Sequence, residues 1–511
     1  MRTSNIRTLH PWTAALLAGL WMAAGIVTPA HAQPELNDTE IGNTVEDQLI
    51  ADTAVPADDV DVTVAEGIVT LDGSVNNILA KDRAENVAST VKGVRGIVNQ
   101  VSVSAPFRYD TEIKEDVDDA LLWDSATESW EIATSVSDGV VTLEGTVDSW
   151  QEKELAARIA KGVRGVKGVT NNIDVDYKLE RSDAEIREDV RKALHWDAYV
   201  DDALLTVKVN DGKVTLNGTV GSLAEKRRAR TLSWVAGVQL VDNDKVDVKW
   251  WARNDKLRKD KYVDKSDETV EQAVKDALLY DPRVASFKFD VDADNGYVTL
   301  RGAVNSEKAR RVAASDARSV VGVWAVDNNV KVRPAELSDA KIERNVESAL
   351  VSDPYVDRYD ITVSVVDGEV NLYGGVDSVF EKAEADDVAS RQVGVMDVNN
   401  FLSVNTRYGD MYDPYTDEWY LYDYDWYAAP DVTVPDTDWQ IAEQIRSQYF
   451  WSPFVDGGDI TVQVDDGVAD LTGNVDTWRE RQAATENALE GGAVVVDNNL
   501  RVKYGPDYYQ P

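Results

Sequence analysis

The sequence predicts an α+β protein of six small tandem modules, each ordered helix, strand, strand, helix, strand. Three observations carry that expectation. One run of residues recurs six times, as VAEGIVTLDGSV at Val64–Val75, VSDGVVTLEGTV at Val136–Val147 and VNDGKVTLNGTV at Val209–Val220. It returns as VDADNGYVTLRGAV at Val291–Val304, VVDGEVNLYGGV at Val365–Val376 and VDDGVADLTGNV at Val464–Val475. Apolar residues alternate on both sides of its turn, which suits a strand with one buried face. An amphipathic helical stripe precedes every copy, and an alanine-rich helical stretch follows it.

The hairpin is clearest in the third copy. Leu205, Val207 and Val209 precede Asp211-Gly212, and Val214, Leu216 and Val220 follow it. A two-residue type I′ turn needs positive φ at both central positions, which Asp-Gly tolerates. Such a turn pairs Val209 with Val214, Val207 with Leu216 and Leu205 with Gly218. The turn glycines are Gly67, Gly139, Gly212, Gly296, Gly368 and Gly467. Counted from Val291, the fourth copy reads as two residues longer, an insertion that preserves alternation.

The first helix carries Ile41/Val45/Leu49, Ile113/Val117/Leu121, Ile186/Val190/Leu194, Val270/Val274/Leu278, Ile342/Val346/Leu350 or Ile441/Ile445/Tyr449. In the third module Ser182-Asp183-Ala184-Glu185 matches a capping box. The second helix starts after Ser149, Ser222, Ser306, Ser378 or Thr477, all good N-caps. It ends before Gly93, Gly165, Gly237, Gly322, Gly394 and, less clearly, Gly491. A last strand returns through this helical crossover and is expected parallel to the second, giving a three-stranded mixed sheet packed against two helices.

The modules are expected at 37–105, 109–178, 182–250, 266–334, 338–404 and 436–504, with a charged connector at 251–265 and a Tyr/Trp/Asp-rich one at 405–435. Residues 1–32 have the pattern of a secretory signal peptide: Arg2 and Arg7, an apolar run over Ala14–Val27, and Ala30-His31-Ala32 before Gln33. No later segment is long and apolar enough to span a bilayer. With no cysteine in the chain, small modules must be held by their cores alone. Losing the signal peptide takes the formal charge from −39 to −41, which argues against nucleic acid as a partner.

The G-x-V-x-L-x-G-x-V hairpin, the alanine-rich helix and the closing G-V-x-x-V-x-N-x-(L/V)-x-V resemble the BON domain, the module of osmotically inducible periplasmic proteins of the OsmY type. The resemblance covers nearly all of the chain after the signal peptide except the two connectors. The sixth copy departs most, with Ala469-Asp470 in place of Val-Thr. The resemblance implies a non-enzymatic protein, association with envelope phospholipid, osmotic-stress tolerance and chaperone-like support of exported proteins. It supplies no catalytic residues.

Candidate chemistry is sparse. After the signal peptide the one histidine is His195, standing where other copies have Ile50, Leu122, Leu279, Val351 and Phe450. It reads as a helix-end residue, and cysteine or zinc chemistry is excluded. Asp290–Gly296 superficially resembles the start of an EF-hand loop, but it has one residue too many before the glycine, lacks the distal glutamate and coincides with a hairpin turn. No cofactor or metal is expected.

Two clusters remain as contact candidates. The second helices of modules 2 to 4 are basic: Lys153, Arg158 and Lys161; Lys226, Arg227, Arg228 and Arg230; Lys308, Arg310 and Arg311. With Trp150 they read either as solvated faces or as a surface for lipid headgroups. In the second connector Tyr415, Trp419, Tyr420, Tyr422, Tyr424, Trp426 and Tyr427 alternate with carboxylates. They read as a linker or as a contact for glycan or protein. The expectation is a periplasmic, non-enzymatic protein for envelope maintenance that touches membrane phospholipid peripherally. The competing reading is a chaperone or scaffold binding exported proteins or cell-wall glycan.

Overall fold

Each hairpin closes on two residues that both hold positive φ, as in Asp211 at 49° and Gly212 at 70°. The computed structural model describes residues 36–503 apart from 57–58, 128–131, 178–180, 254–260, 263–264, 358–359 and 405–436. Residues 1–32, expected as a signal peptide, and the aromatic connector therefore lie outside the described residues.

In module 3 the strands Leu205–Asn210 and Lys213–Val220 pair antiparallel, with Val209 opposite Val214, Val207 opposite Leu216 and Leu205 opposite Gly218. A Cβ on Gly218 would run into the Leu204 carbonyl oxygen, so a side chain is excluded there. Strand Leu240–Val248 then pairs parallel with Lys213–Val220, as expected of a helical crossover. All six sheets place the hairpin's second strand in the centre; in module 1 the last strand is split into Gly96–Asn99 and Ser102–Val103.

Two helices cover one face of each sheet. In module 2, Asp110–Trp123 buries Ile113, Val117 and Leu121, and Trp150–Lys161 buries Leu155, Ala156, Ile159 and Ala160, against Val141, Leu143 and Ile173 of the sheet. Leu143 is fully buried, and burial of a side chain of that size contributes about 1.5–3 kcal/mol. The alanines let the second helix sit close to the strands. The other sheet face stays exposed in every module.

Two tethers repeat in all six modules. The aspartate opening the first helix accepts hydrogen bonds from the turn of its own hairpin. Asp183, for example, takes the N–H groups of Asp211 at 2.9 Å and Gly212 at 3.0 Å. Asp38, Asp110 and Asp339 likewise take both N–H groups of their own turns, and Asp267 and Asp438 take one each, from Asn295 and Gly467. The second tether is an asparagine on or beside the last strand. Asn171 donates to the Lys153 carbonyl at 2.8 Å, and Asn99, Asn243, Asn328, Asn400 and Asn498 do likewise.

One expectation needs correction. The fourth hairpin has no insertion: Ala293 pairs with Val298 and Val291 with Leu300, so Ala293 takes the place that Val209 holds in module 3. The period-2 alternation made Val291 look like the start of the repeat. In module 6 the second helix ends before Gly491, as expected, with Gly491 as its cap; the positive φ that Gly93 and Gly165 hold falls here on Gly492, at 94°.

Candidate functional site

The modules are not beads on a string. Module 3 joins module 4 where Val321 donates to the Trp196 carbonyl at 2.7 Å and Ala198 to the Ser319 carbonyl at 2.8 Å. Module 2 joins module 5 through the equivalent residues, Val393 to Trp123 at 2.9 Å and, reciprocally, Arg164 to Ser352 at 2.6 Å. Module 1 joins module 6 by the Lys92 N–H to the Trp451 carbonyl at 3.3 Å. Lys92 Nζ adds a bond to the Phe450 carbonyl and lies 4.1 Å from the Phe450 ring centre. The pairing is nested: first with last, second with fifth, third with fourth.

This folding-back carries the second helices into contact with one another, and there the basic candidates find carboxylates. Lys161 pairs with Asp82 of module 1 at 2.6 Å. Arg227 pairs with Glu85 and donates to Asn86 at 2.9 Å, both on the same module 1 helix. Arg228 pairs with Asp197, and its guanidinium lies over the Tyr199 ring. Across the module 4–5 boundary, Lys308 pairs with Asp387 and Arg311 with Asp386. Arg310 and Arg311 also hold Glu307, which is fully buried. Burial pulls the Lys308 ammonium down to about 8 in spite of Asp387.

The lipid-facing expectation for these helices therefore changes. Of the ten cations only Arg230 is exposed. Lys153 and Arg158 are half-buried. Lys226 is also half-buried, and burial holds its ammonium below its ordinary value although Asp244 and Asp247 oppose the shift. Trp150 stacks on Trp234 of module 3 with centroids 4.8 Å apart and planes 1° from parallel. The charge pattern marks where modules meet. The basic half of it is plain in the sequence, as is the acidic second helix of module 5; the second helix of module 1 is balanced in charge, and its Asp82 and Glu85 do not stand out.

A cavity of about 300 Å³ opens beside these contacts, walled by Trp196, Tyr280, Arg227, Arg228, Arg283 and Asp316. Its strongest charges are matched, Arg228 with Asp197 and Arg283 with Asp281. Burial, reinforced by Asp281, raises the Asp316 carboxyl well above its usual range.

His195 lies in the last turn of the helix Asp183–Trp196. Its Nδ1 lies 3.2 Å from Asp202, which also meets Lys261 at 3.4 Å. Burial favours a neutral Asp202, but His195 and Lys261 outweigh it and hold the carboxyl below its ordinary value. Lys261, from the charged connector, reaches into module 3 and donates to the Leu194 carbonyl at 3.0 Å. The EF-hand-like run is a strand, with Asp290 and Asp292 on the exposed face and Val291 and Ala293 buried. Asp438, Asp465 and Asp466 come close enough to share a cation, but they are surface carboxylates and Asp438 already holds the Gly467 N–H. The aromatic candidates Tyr415 to Tyr427 lie outside the described residues.

The BON domain profile matches residues 37–105, 109–177, 182–249, 266–334, 338–406 and 437–504. The chain is 32% identical over 170 residues to osmotically inducible protein Y of Escherichia coli K12, covering 32% of this chain and 85% of that protein. It is 33% identical over 138 residues to the outer membrane lipoprotein DolP of Haemophilus influenzae, covering 26% of this chain and 71% of that one. Among solved structures it is similar to CdsD, a structural protein of the type III secretion system of Chlamydia trachomatis. That similarity is 16% identity over 42% of this chain and 90% of that one, with a TM-score of 0.12, and it carries no argument.

Proposed function

Because the chain belongs to the BON domain family, we propose that it is a non-enzymatic periplasmic protein that maintains the cell envelope under osmotic or related stress. Its means is weak, multivalent, peripheral contact with membrane phospholipid. Kinship with an osmotically inducible protein and with an outer membrane lipoprotein supports the setting. The signal-peptide pattern of residues 1–32 supports export. The observation that carries the multivalency is the nested pairing: it joins six modules in one molecule and leaves cations exposed on several of them, as at Arg230, Arg301 and Arg501.

The same geometry moves any headgroup contact off the inward cations and onto exposed ones such as Arg230. Each cation held near an anionic surface contributes roughly 1 kcal/mol, so the contact is weak and salt-sensitive. The test is co-sedimentation of the mature chain with phosphatidylglycerol vesicles, against phosphatidylcholine vesicles, at low and high salt. Binding to the anionic vesicles that disappears in high salt is expected. A wild-type protein that ignores them refutes the lipid reading and leaves the scaffold or chaperone for exported proteins. That second reading is favoured by one observation, the commitment of Lys161, Arg227, Lys308 and Arg311 to carboxylates of neighbouring modules.

A further inference from the structure

Module 5 differs from its sisters on the open face of its sheet. Tyr373 and Phe401 stand side by side on neighbouring strands in direct register. Their rings are stacked, with centroids 5.2 Å apart and planes 12° from parallel. Tyr373 is 46% and Phe401 58% exposed. At the same register modules 2, 3, 4 and 6 set Glu144 beside Asn172, Asn217 beside Lys245, Arg301 beside Asn329 and Thr472 beside Asn499. The fold thus forms without aromatic residues at these positions. Leaving two large rings in water runs against the hydrophobic effect, so the pair calls for an occupant.

The surroundings say what kind. Thr362 lies opposite Tyr373, and Asn371 lies beside Asn399, whose amide donates to it at 3.2 Å. Glu369 and Asp397 face each other at the turn end of the same surface. This face carries neither lysine nor arginine, in a chain of net charge −39. It therefore repels anionic headgroups, phosphates and nucleic acid. A sugar ring has an apolar C–H face that lies flat on an aromatic ring, and hydroxyls that suit amide, hydroxyl and carboxylate partners. Phe401 sits on the strand Asp397–Val404, whose outer edge pairs with no other strand among the described residues.

We propose that the open sheet face of module 5 binds a neutral glycan, with Tyr373 and Phe401 as the stacking platform. The site is independent of the membrane reading, since it uses neither the second helices nor any cation.

The test is affinity electrophoresis of the full mature chain in native gels containing a soluble neutral polysaccharide, with hydroxyethylcellulose, glycol chitin and dextran run separately. Retardation by at least one of them is expected. The double variant Tyr373→Thr, Phe401→Asn takes the residues that module 6 already carries, so it folds as its sister does, which circular dichroism checks. Its affinity should fall roughly tenfold, the scale of a lost stacking platform. Installing Thr472→Tyr and Asn499→Phe in that background should restore retardation from module 6. The proposal is overturned if no polysaccharide slows the wild type, or if the double variant is slowed equally. Pair-dependent binding of unfolded casein with no glycan binding would also overturn it, in favour of a protein strand.

Discussion

Asp183 reaches from the start of a helix to the tip of a hairpin, and the same contact recurs in every module. Its carboxylate meets two N–H groups that the turn leaves without strand partners, so it fixes the helix against the sheet at one point. Hydrogen bonds to a charged group are the stronger kind, and this one is partly exposed. Asp183→Ala should therefore cost module 3 about 1–2 kcal/mol. Hydrogen exchange at Asp211 and Gly212 should speed up while exchange in module 6 stays unchanged. The turn itself is stricter. At Gly212 a side chain would sit at positive φ and meet the Gly237 carbonyl at 3.1 Å, so Gly212→Val should destabilise the same module by on the order of 1–3 kcal/mol in a urea melt followed by exchange. The glycine was legible as a turn signal. The aspartate was legible only as a helix-starting residue, because nothing local says that it bonds a backbone 29 residues away.

Between elements, what was read as a surface is a joint. Arg311 lies between Glu307 and Asp386, and both carboxylates are fully buried. Arg311→Glu should cost about 3–5 kcal/mol, since it replaces the cation between Glu307 and Asp386 with a third carboxylate while Arg310 reaches only Glu307; thermal melting of the full chain reads this directly. A second joint titrates. Asp353 and Glu384 are buried and hydrogen-bonded to each other, with Arg391, Asp387 and Asp124 nearby. Burial pushes Asp353 up to about 6 and Glu384 well above the carboxylate range, the latter helped by the Asp353 charge. The folded chain then binds more protons than the unfolded one. The stability this pair contributes is complete below ordinary carboxylate values and is lost as pH rises through about 6 and beyond. Melting temperature should fall as pH rises from about 4 through about 6, and fall less in the double variant Asp353→Asn, Glu384→Gln. Helix and strand order, caps and register were legible because they depend on local pattern. The joints were not, because Lys308 and Asp387 are 79 residues apart and only the folding-back brings them together. The Ala293 misreading has the same root: a period of two does not mark where a strand begins.

At the scale of the whole molecule, neighbours in sequence are not the principal partners. Removing residues 437–511 should expose the Lys92 end of module 1, which donates to Trp451, and leave the Gln392 end of module 5 held by module 2. Hydrogen exchange by mass spectrometry on the shortened chain should show the larger loss of protection in module 1, at the far end of the chain. A loss confined to module 5 would refute the nested pairing.

That pairing also sets a clock. The bond from Lys92 to Phe450 spans 358 residues, and the one from Arg164 to Asp353 spans 189. Closing the longer span costs little more than closing the shorter, about 0.6 kcal/mol per doubling of loop length. Time separates them. At about 5–20 residues per second of synthesis, the stretch between the halves of the outer pair takes on the order of tens of seconds to make. The first module to be synthesised is therefore the last to be completed, and its joining surface stays bare while all the others form.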